Sequence, residues 1–174
     1  MLGNNGSRLA SWLISFLPMS RCFALKRWLL RKIGGMKVAD GVEIWSGAKF
    51  YGQYISIGKN CHIGEDCFFA GLAPDAWLTI GDEVSFGPRV FATTGAHYVG
   101  SAHRRSGTGR QLPIKIGNGA GVCVNVTIAA GTEIGDGCLI MPGCFVSGKI
   151  APNTMVATAK TIKLPIPEDG LEDC

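Results

Sequence analysis

The side chains best equipped for chemistry are few. The chain holds three histidines, His62, His97 and His103, and seven cysteines. Imidazole changes protonation nearest neutral pH of any side chain, so each histidine is a candidate proton acceptor, and three together could ligate a divalent metal. The cysteine count is odd and there is no CxxC pair. Cys61, Cys67, Cys138 and Cys144 fall at one slot of a short repeat that wants a small inward side chain, so they read as packed thiols in a reducing cytosol. His97 and His103 lie in a stretch unlike its surroundings, residues 93–113, which carries Arg104, Arg105 and Arg110 and no Asp or Glu. A lone loop histidine is more often a surface residue than a catalyst, but long interruptions of compact domains are often functional.

A repeat positions that loop. From Ile116 to Ala151 the chain reads IGNGAG, VCVNVT, IAAGTE, IGDGCL, IMPGCF, VSGKIA. The first slot is always Ile or Val; the fifth is Ala120, Val126, Thr132, Cys138, Cys144 and Ile150. A helical period would bury Gly and Asn, and alternation by twos is broken in each hexamer by a Gly-containing pair. One short strand per hexamer, three sides to a coil, stacks Ile116 on Ile134, Val122 on Ile140 and Ile128 on Val146. Upstream, Val38, Ile44 and Phe50 form one coil, Ile57, Ile63 and Phe69 the next, and Ile80, Phe86 and Ala92 a third. The beat resumes after the loop and runs to Ile162. The expectation is an all-β solenoid of about five coils over residues 38–163, with 93–113 extruded and 164–174 a flexible tail.

Residues 1–37 differ from the rest. They carry Arg8, Arg21, Lys26, Arg27, Arg31, Lys32 and Lys37 and no acid. Leu9, Trp12, Leu13, Phe16 and Leu17 make one apolar stripe at helical spacing, Pro18 stops that helix, Ser20 can cap a second over 21–33, and Gly34-Gly35 can end it. This segment is expected to cap the open end of the solenoid, which needs a terminal cap. The competing reading lays residues 8–32 on an anionic membrane surface. The apolar run is too short to span a bilayer and lacks the marks of a signal peptide. A charged fraction of 17% and 25 glycines suit a solenoid, and a net charge of +4 without a recognition motif gives no reason to expect nucleic acid.

Residues 116–143 and 87–97 resemble the hexapeptide-repeat acyltransferases, in particular the maltose, galactoside and polysaccharide sugar O-acetyltransferases. The segment Gly87-Pro88-Arg89-Val90-Phe91-Ala92-Thr93-Thr94, followed by His97, is similar to a family motif whose histidine is the catalytic base. Arg105-Ser106-Gly107 and Pro113-Ile114-Lys115-Ile116-Gly117 are similar to the polysaccharide-modifying branch. The resemblance implies a left-handed parallel β-helix, a homotrimer, and acetyl transfer from acetyl-CoA to a sugar hydroxyl of a polysaccharide precursor. It implies His97 as base and the Val124 amide as oxyanion donor. It further implies Pro142, Ser147 and Gly148 along the pantetheine arm, Lys160 and Lys163 near the CoA phosphates, and Arg105 as an acceptor contact. The expected place is the cytoplasm, with or without contact to the inner membrane face.

The chain also departs from the family pattern. Gly121 replaces a Trp, Phe69-Ala70-Gly71 lacks the acceptor-binding Asn, Ala157-Thr158-Ala159-Lys160 is a shortened terminal motif, and no carboxylate in the loop can orient His97. Three rivals share the fold. One acetylates an amino group on a nucleotide sugar. One is a γ-class carbonic-anhydrase-like enzyme with zinc on His62, His97 and His103, disfavoured by Arg104 and Arg105 beside His103, so no metal is expected. One is a non-catalytic scaffold.

Overall fold

The computed structural model describes residues 3–18 and 20–157. Two helices, α1 (Gly3–Ser15) and α2 (Phe23–Lys32), precede a left-handed parallel β-helix. Its first face stacks Lys37–Val38, Ile55–Ile57, Leu78–Ile80, Ile114–Ile116, Glu133–Ile134 and Lys149–Ile150. The second stacks Glu43–Ile44, His62–Ile63, Ser85–Phe86, Gly121–Val122, Leu139–Ile140 and Met155–Val156. The third stacks Lys49–Tyr51, Phe68–Ala70, Phe91–Thr93, Thr127–Ile128 and Phe145–Val146. All these pairings are parallel, and the expected columns are in register: Ile116 on Ile134, Val122 on Ile140, Ile128 on Val146.

The hexamer has a simple physical basis. Its first slot points inward, so the Ile, Val and Phe residues there form the buried core. Its fourth slot, Gly119, Asn125, Gly131, Gly137 and Gly143, adopts φ between +59° and +83°, the left-handed bend that Gly and Asn tolerate and that turns each corner. Its fifth slot is buried and small. There the Cys61, Cys67 and Cys138 thiols donate to the carbonyls of Gly81, Gly87 and Ala151 on the next coil, at 3.1–3.2 Å. Burial pushes the Cys67 thiol up to about 11, so it stays protonated and inert.

One corner breaks the beat. Ile150 does not take the fifth slot; it pairs with Ile134 on the first face, and Val156 with Ile140 on the second. In VSGKIA the bending glycine, Gly148 at φ +77°, comes one slot early and shortens the corner. The expected end of the beat at Ile162, Lys160, Lys163 and the tail lie in 158–174, outside the described residues.

The helices seal the first coil. Ser11 Oγ accepts from the Phe50 N–H and donates to the Phe50 carbonyl, both at 2.9 Å, and Ser7 Oγ accepts from the Gly52 N–H at 3.0 Å. From α2, the Lys26 ammonium donates to the carbonyl of Ile44 at 2.7 Å and that of Pro18 at 2.9 Å. Arg27 donates to Val42 and Arg31 to Val38, and Arg31 also pairs with Asp40 at 2.7 Å. Backbone groups that a missing neighbour would leave unpaired therefore bond to side chains. Arg8 donates to the Tyr51 hydroxyl at 2.6 Å, so four of the basic residues are turned onto the rod. The sequence pattern misplaces two details. Cys22, not Ser20, precedes α2, without a side-chain cap. The buried side of α1 is Ser7, Ala10 and Ile14, leaving Leu9, Trp12 and Phe16 of the apolar stripe exposed. Among the described residues no helix is long and apolar enough to cross a membrane.

Candidate functional site

Residues 93–113 are more regular than an irregular loop. They form an antiparallel hairpin, Gly95–Val99 against Ser106–Gln111, leaving the rod between the third and first faces. The carbonyls and amides of Thr94, Leu112 and Ala70 pin its base to the coils: Leu112 N–H donates to Thr94 O at 2.8 Å and Thr94 N–H to Ala70 O at 3.0 Å.

His97 sits in the middle of this ladder, opposite Gly109. Its Nδ1 lies 3.1 Å from the carbonyl oxygen of Gly107. A carbonyl only accepts, so Nδ1 carries the hydrogen and the neutral ring presents a bare lone pair at Nε2. This is the orienting group that the acid-free sequence of the hairpin does not reveal: a backbone oxygen instead of a carboxylate. Glycine is required at 107 but not at 109. A Cβ at Gly107 would stand 2.7 Å from the Tyr98 carbonyl, and one at Gly109 would approach the His97 ring to 3.9 Å.

Beside His97 is a cleft of about 560 Å³, lined also by Ser101, Arg104, Ser106 and Thr108. Arg105 is at the hairpin tip, its Nη1 3.5 Å from the Gly100 carbonyl, and does not line the cleft. A broader groove of about 700 Å³ runs along the first face past Lys115, Glu133 and Lys149, but holds no histidine, and Lys149 pairs with Glu133 at 3.2 Å. His62 is elsewhere, on the second face, its ring 5.3 Å from Trp45 and its Nδ1 3.4 Å from Glu43. Among the described residues no three His, Cys, Asp or Glu side chains gather as metal ligands would.

Val124 occupies a different edge, between the second and third faces. The register places it between Pro88 on the coil below and Pro142 on the coil above. Neither proline has an N–H. The Val124 N–H itself donates to no carbonyl among the described residues. Gly87 lies against this amide, where a Cβ would come within 2.8 Å of the nitrogen. At this level of the column the Val124 N–H is a free donor between two prolyl tertiary amides, available to an incoming oxyanion. Ser147 and Gly148 return to the hairpin's edge, at the corner between Phe145–Val146 and Lys149–Ile150. The candidate residues therefore divide: His97, Arg105, Ser147 and Gly148 on one edge of the prism, Val124 and Pro142 on the next, with the third face between them.

No family model matches the chain. A galactoside O-acetyltransferase of Escherichia coli K12 is 36% identical over 108 residues, 60% of this chain and 53% of that one. The chain spans about half the length of the curated relatives it matches. Among solved structures, a maltose O-acetyltransferase from Clostridium difficile 630 superposes with TM-score 0.72 and 26% identity, over 87% of this chain and 79% of that one. A galactoside acetyltransferase in complex with coenzyme A gives 0.70 and 26%, over 87% and 74%. Coils, sealed end and extruded hairpin together are the hexapeptide-repeat acyltransferase fold. Within it, this chain is similar to the galactoside and maltose sugar O-acetyltransferases.

Proposed function

We propose that the chain transfers an acetyl group from acetyl-CoA to a sugar hydroxyl, on a precursor of a polysaccharide, and that it works as a homotrimer. The observation that carries this is the pairing of an oriented imidazole with an unpaired amide on adjoining edges of one prism. His97 Nε2 takes the proton from the acceptor hydroxyl as that oxygen attacks the thioester carbonyl. The Val124 N–H receives the charge that develops on the carbonyl oxygen. The C–S bond then breaks, and the proton held by His97 goes to the departing CoA sulfur. The bound acetyl-CoA lies along Pro142, Ser147 and Gly148, with Lys160 and Lys163 near its phosphates; Arg105 contacts the acceptor. The relatives above, one solved with coenzyme A, support this donor.

The separation of the two edges supports the trimer. The third face carries an outward column of Phe68, Phe91, Thr127 and Phe145, with Phe68 stacked on Phe91 at 5.1 Å and Phe145 69% exposed. A neighbouring copy that covers this face brings its own Val124 edge toward His97. Thiol release from acetyl-CoA with a panel of sugars, wild type against His97→Ala, tests the reading: equal turnover in both would refute it.

A second observation concerns placement in the cell. With Arg8, Lys26, Arg27 and Arg31 bonded to the rod, the cap still exposes Leu9, Trp12, Phe16, Leu25 and Trp28, together with Arg21 and Lys32. This composition supports a cytoplasmic protein that rests on the anionic inner membrane face through residues 8–32. Co-sedimentation with phosphatidylglycerol vesicles, lost in Trp12→Ser/Phe16→Ser, is the expected result; equal recovery of both proteins in the supernatant would remove it.

A further inference from the structure

The cleft beside His97 has an unbalanced lining. Its side chains are the imidazole, three hydroxyls from Ser101, Ser106 and Thr108, and the Arg104 guanidinium; the rest is glycine backbone. It has no carboxylate and no Phe, Tyr or Trp ring, so it offers neither a partner for a cation nor a broad platform for the apolar face of a neutral sugar. No acid lies anywhere in 93–113. None of Arg104, Arg105 and Arg110 forms an ion pair among the described residues. The guanidinium groups differ in how they are occupied. Arg110 lies over the Tyr98 ring at 4.8 Å and Arg89 donates to Asn125 Oδ1 at 2.8 Å, whereas the Arg104 side chain has no such partner among the described residues.

The backbone that carries Arg104 is held firmly. The Gly100 N–H donates to the Arg105 carbonyl at 2.9 Å and the Arg104 N–H to the Ser101 carbonyl at 3.0 Å. A Cβ at Gly100 would come within 2.2 Å of the Arg104 carbonyl oxygen, so this turn closes only around glycine. An unpaired guanidinium carried on a held turn next to a base is a binding group for a planar or tetrahedral oxyanion, which it can grip with two parallel N–H donors.

We propose that the cleft selects an acceptor with an anionic group, a carboxylate or phosphate on the sugar or joined to it, held by Arg104 while a hydroxyl of the same molecule faces His97. This rests on the acetyl-transfer reading and narrows it to acidic acceptors. The anion places the hydroxyl; it takes no part in the bond changes.

The test uses the full chain, acetyl-CoA and three probes: methyl glucoside, methyl glucuronoside and glucose 1-phosphate. The expected result is a kcat/KM at least tenfold higher for one or both charged probes than for the neutral one, falling with added salt. The glucuronoside and the phosphate ester tell carboxylate from phosphate. Arg104→Ala should raise the KM for the preferred charged probe at least tenfold more than that for methyl glucoside, with the acetyl-CoA KM little moved, and Arg104→Lys should recover part of it. Preferential turnover of methyl glucoside would overturn the proposal and leave acetyl transfer standing. Saturation-transfer NMR of the same probes separates the reverse case. Charged probes that bind wild type and lose contact in Arg104→Ala, without turnover, would keep the anion site and sink the acetyl-transfer reading. No binding and no turnover of any probe would overturn both.

Discussion

The ring of His97 is fixed by the backbone of Gly107, whose carbonyl oxygen lies 3.1 Å from Nδ1 across the hairpin. The base and the group that orients it belong to one two-stranded ribbon, so the tautomer is set inside a single local structure. His97→Ala should lower kcat by roughly 10²–10⁴ with little change in the acetyl-CoA KM. Gly107→Ala forces a contact with the Tyr98 carbonyl and should cost about tenfold in kcat through misalignment alone. Unchanged kcat in Gly107→Ala, measured by thiol release, would show that this carbonyl does not hold the base.

Val124 supplies a backbone group, so trimming its side chain is the wrong probe. Val124→Ala should be close to wild type. Val124→Pro deletes the N–H at a corner where Pro88 and Pro142 already sit directly below and above. It should fold, with a thermal midpoint within a few degrees of wild type, and lose roughly 10²–10³ in kcat. A folded Val124→Pro enzyme at full speed would exclude this amide from the reaction.

If the base of one copy works with the amide of the next, two dead variants can rescue each other. Mixed trimers of His97→Ala and Val124→Pro chains contain seams at which both groups are intact. Co-refolding the pair should restore a clear fraction of wild-type activity, read against each variant refolded alone. No recovery, with mixed trimers confirmed by native mass spectrometry, would place both groups within one chain.

Lys26 is wholly buried and its ammonium donates to the Ile44 and Pro18 carbonyls; burial lowers its pKa, opposed by Cys22. Lys26→Met keeps the bulk but strands those carbonyls at the sealed end. A loss of about 2–4 kcal/mol in urea unfolding is expected. A loss below about 0.5 kcal/mol would show that the ammonium is dispensable to the seal.

Alkaline stability should carry the mark of Cys67. Its folded-state pKa is raised to about 11 from 9.0 by burial, opposed by hydrogen bonds from the Val90 and Arg89 backbone. Above pH 9 the unfolded chain loses this proton first, so it binds fewer protons than the folded one and stability falls as pH rises to about 11. The contribution, present in full below pH 9, is at most about 2–3 kcal/mol. Urea midpoints at pH 8 and pH 10.5 should diverge in wild type and less so in Cys67→Ala. Equal pH dependence in the two would discount the thiol.

Much of the coil was readable because the core repeats itself: Ile116, Ile134 and their companions are large, buried and evenly spaced. What escaped had a local cause. Gly148 bends the chain one slot early, and a count of first-slot aliphatics ignores bends; tracking the left-handed fourth slot would have exposed the shift. Ser7 and Ser11 bury themselves against the first coil as hydrogen-bonding groups, which an apolar-stripe reading assigns to solvent. His97 was legible from its motif, but Gly107 was not, since a carbonyl has no letter in the sequence. Arg104 and Arg105 are neighbours in sequence, and only the closed turn at Gly100 shows which of them enters the cleft.

The sealed end also sets where counting starts along the rod. The hairpin leaves the third coil and Val124 lies on the fourth, so both stand downstream of the same origin. Duplicating an eighteen-residue unit between cap and hairpin would lift them together by about 4.8 Å and leave their mutual arrangement unaltered. Such a lineage could vary its reach above whatever surface the cap rests on, one storey at a time, without rebuilding the machinery it carries.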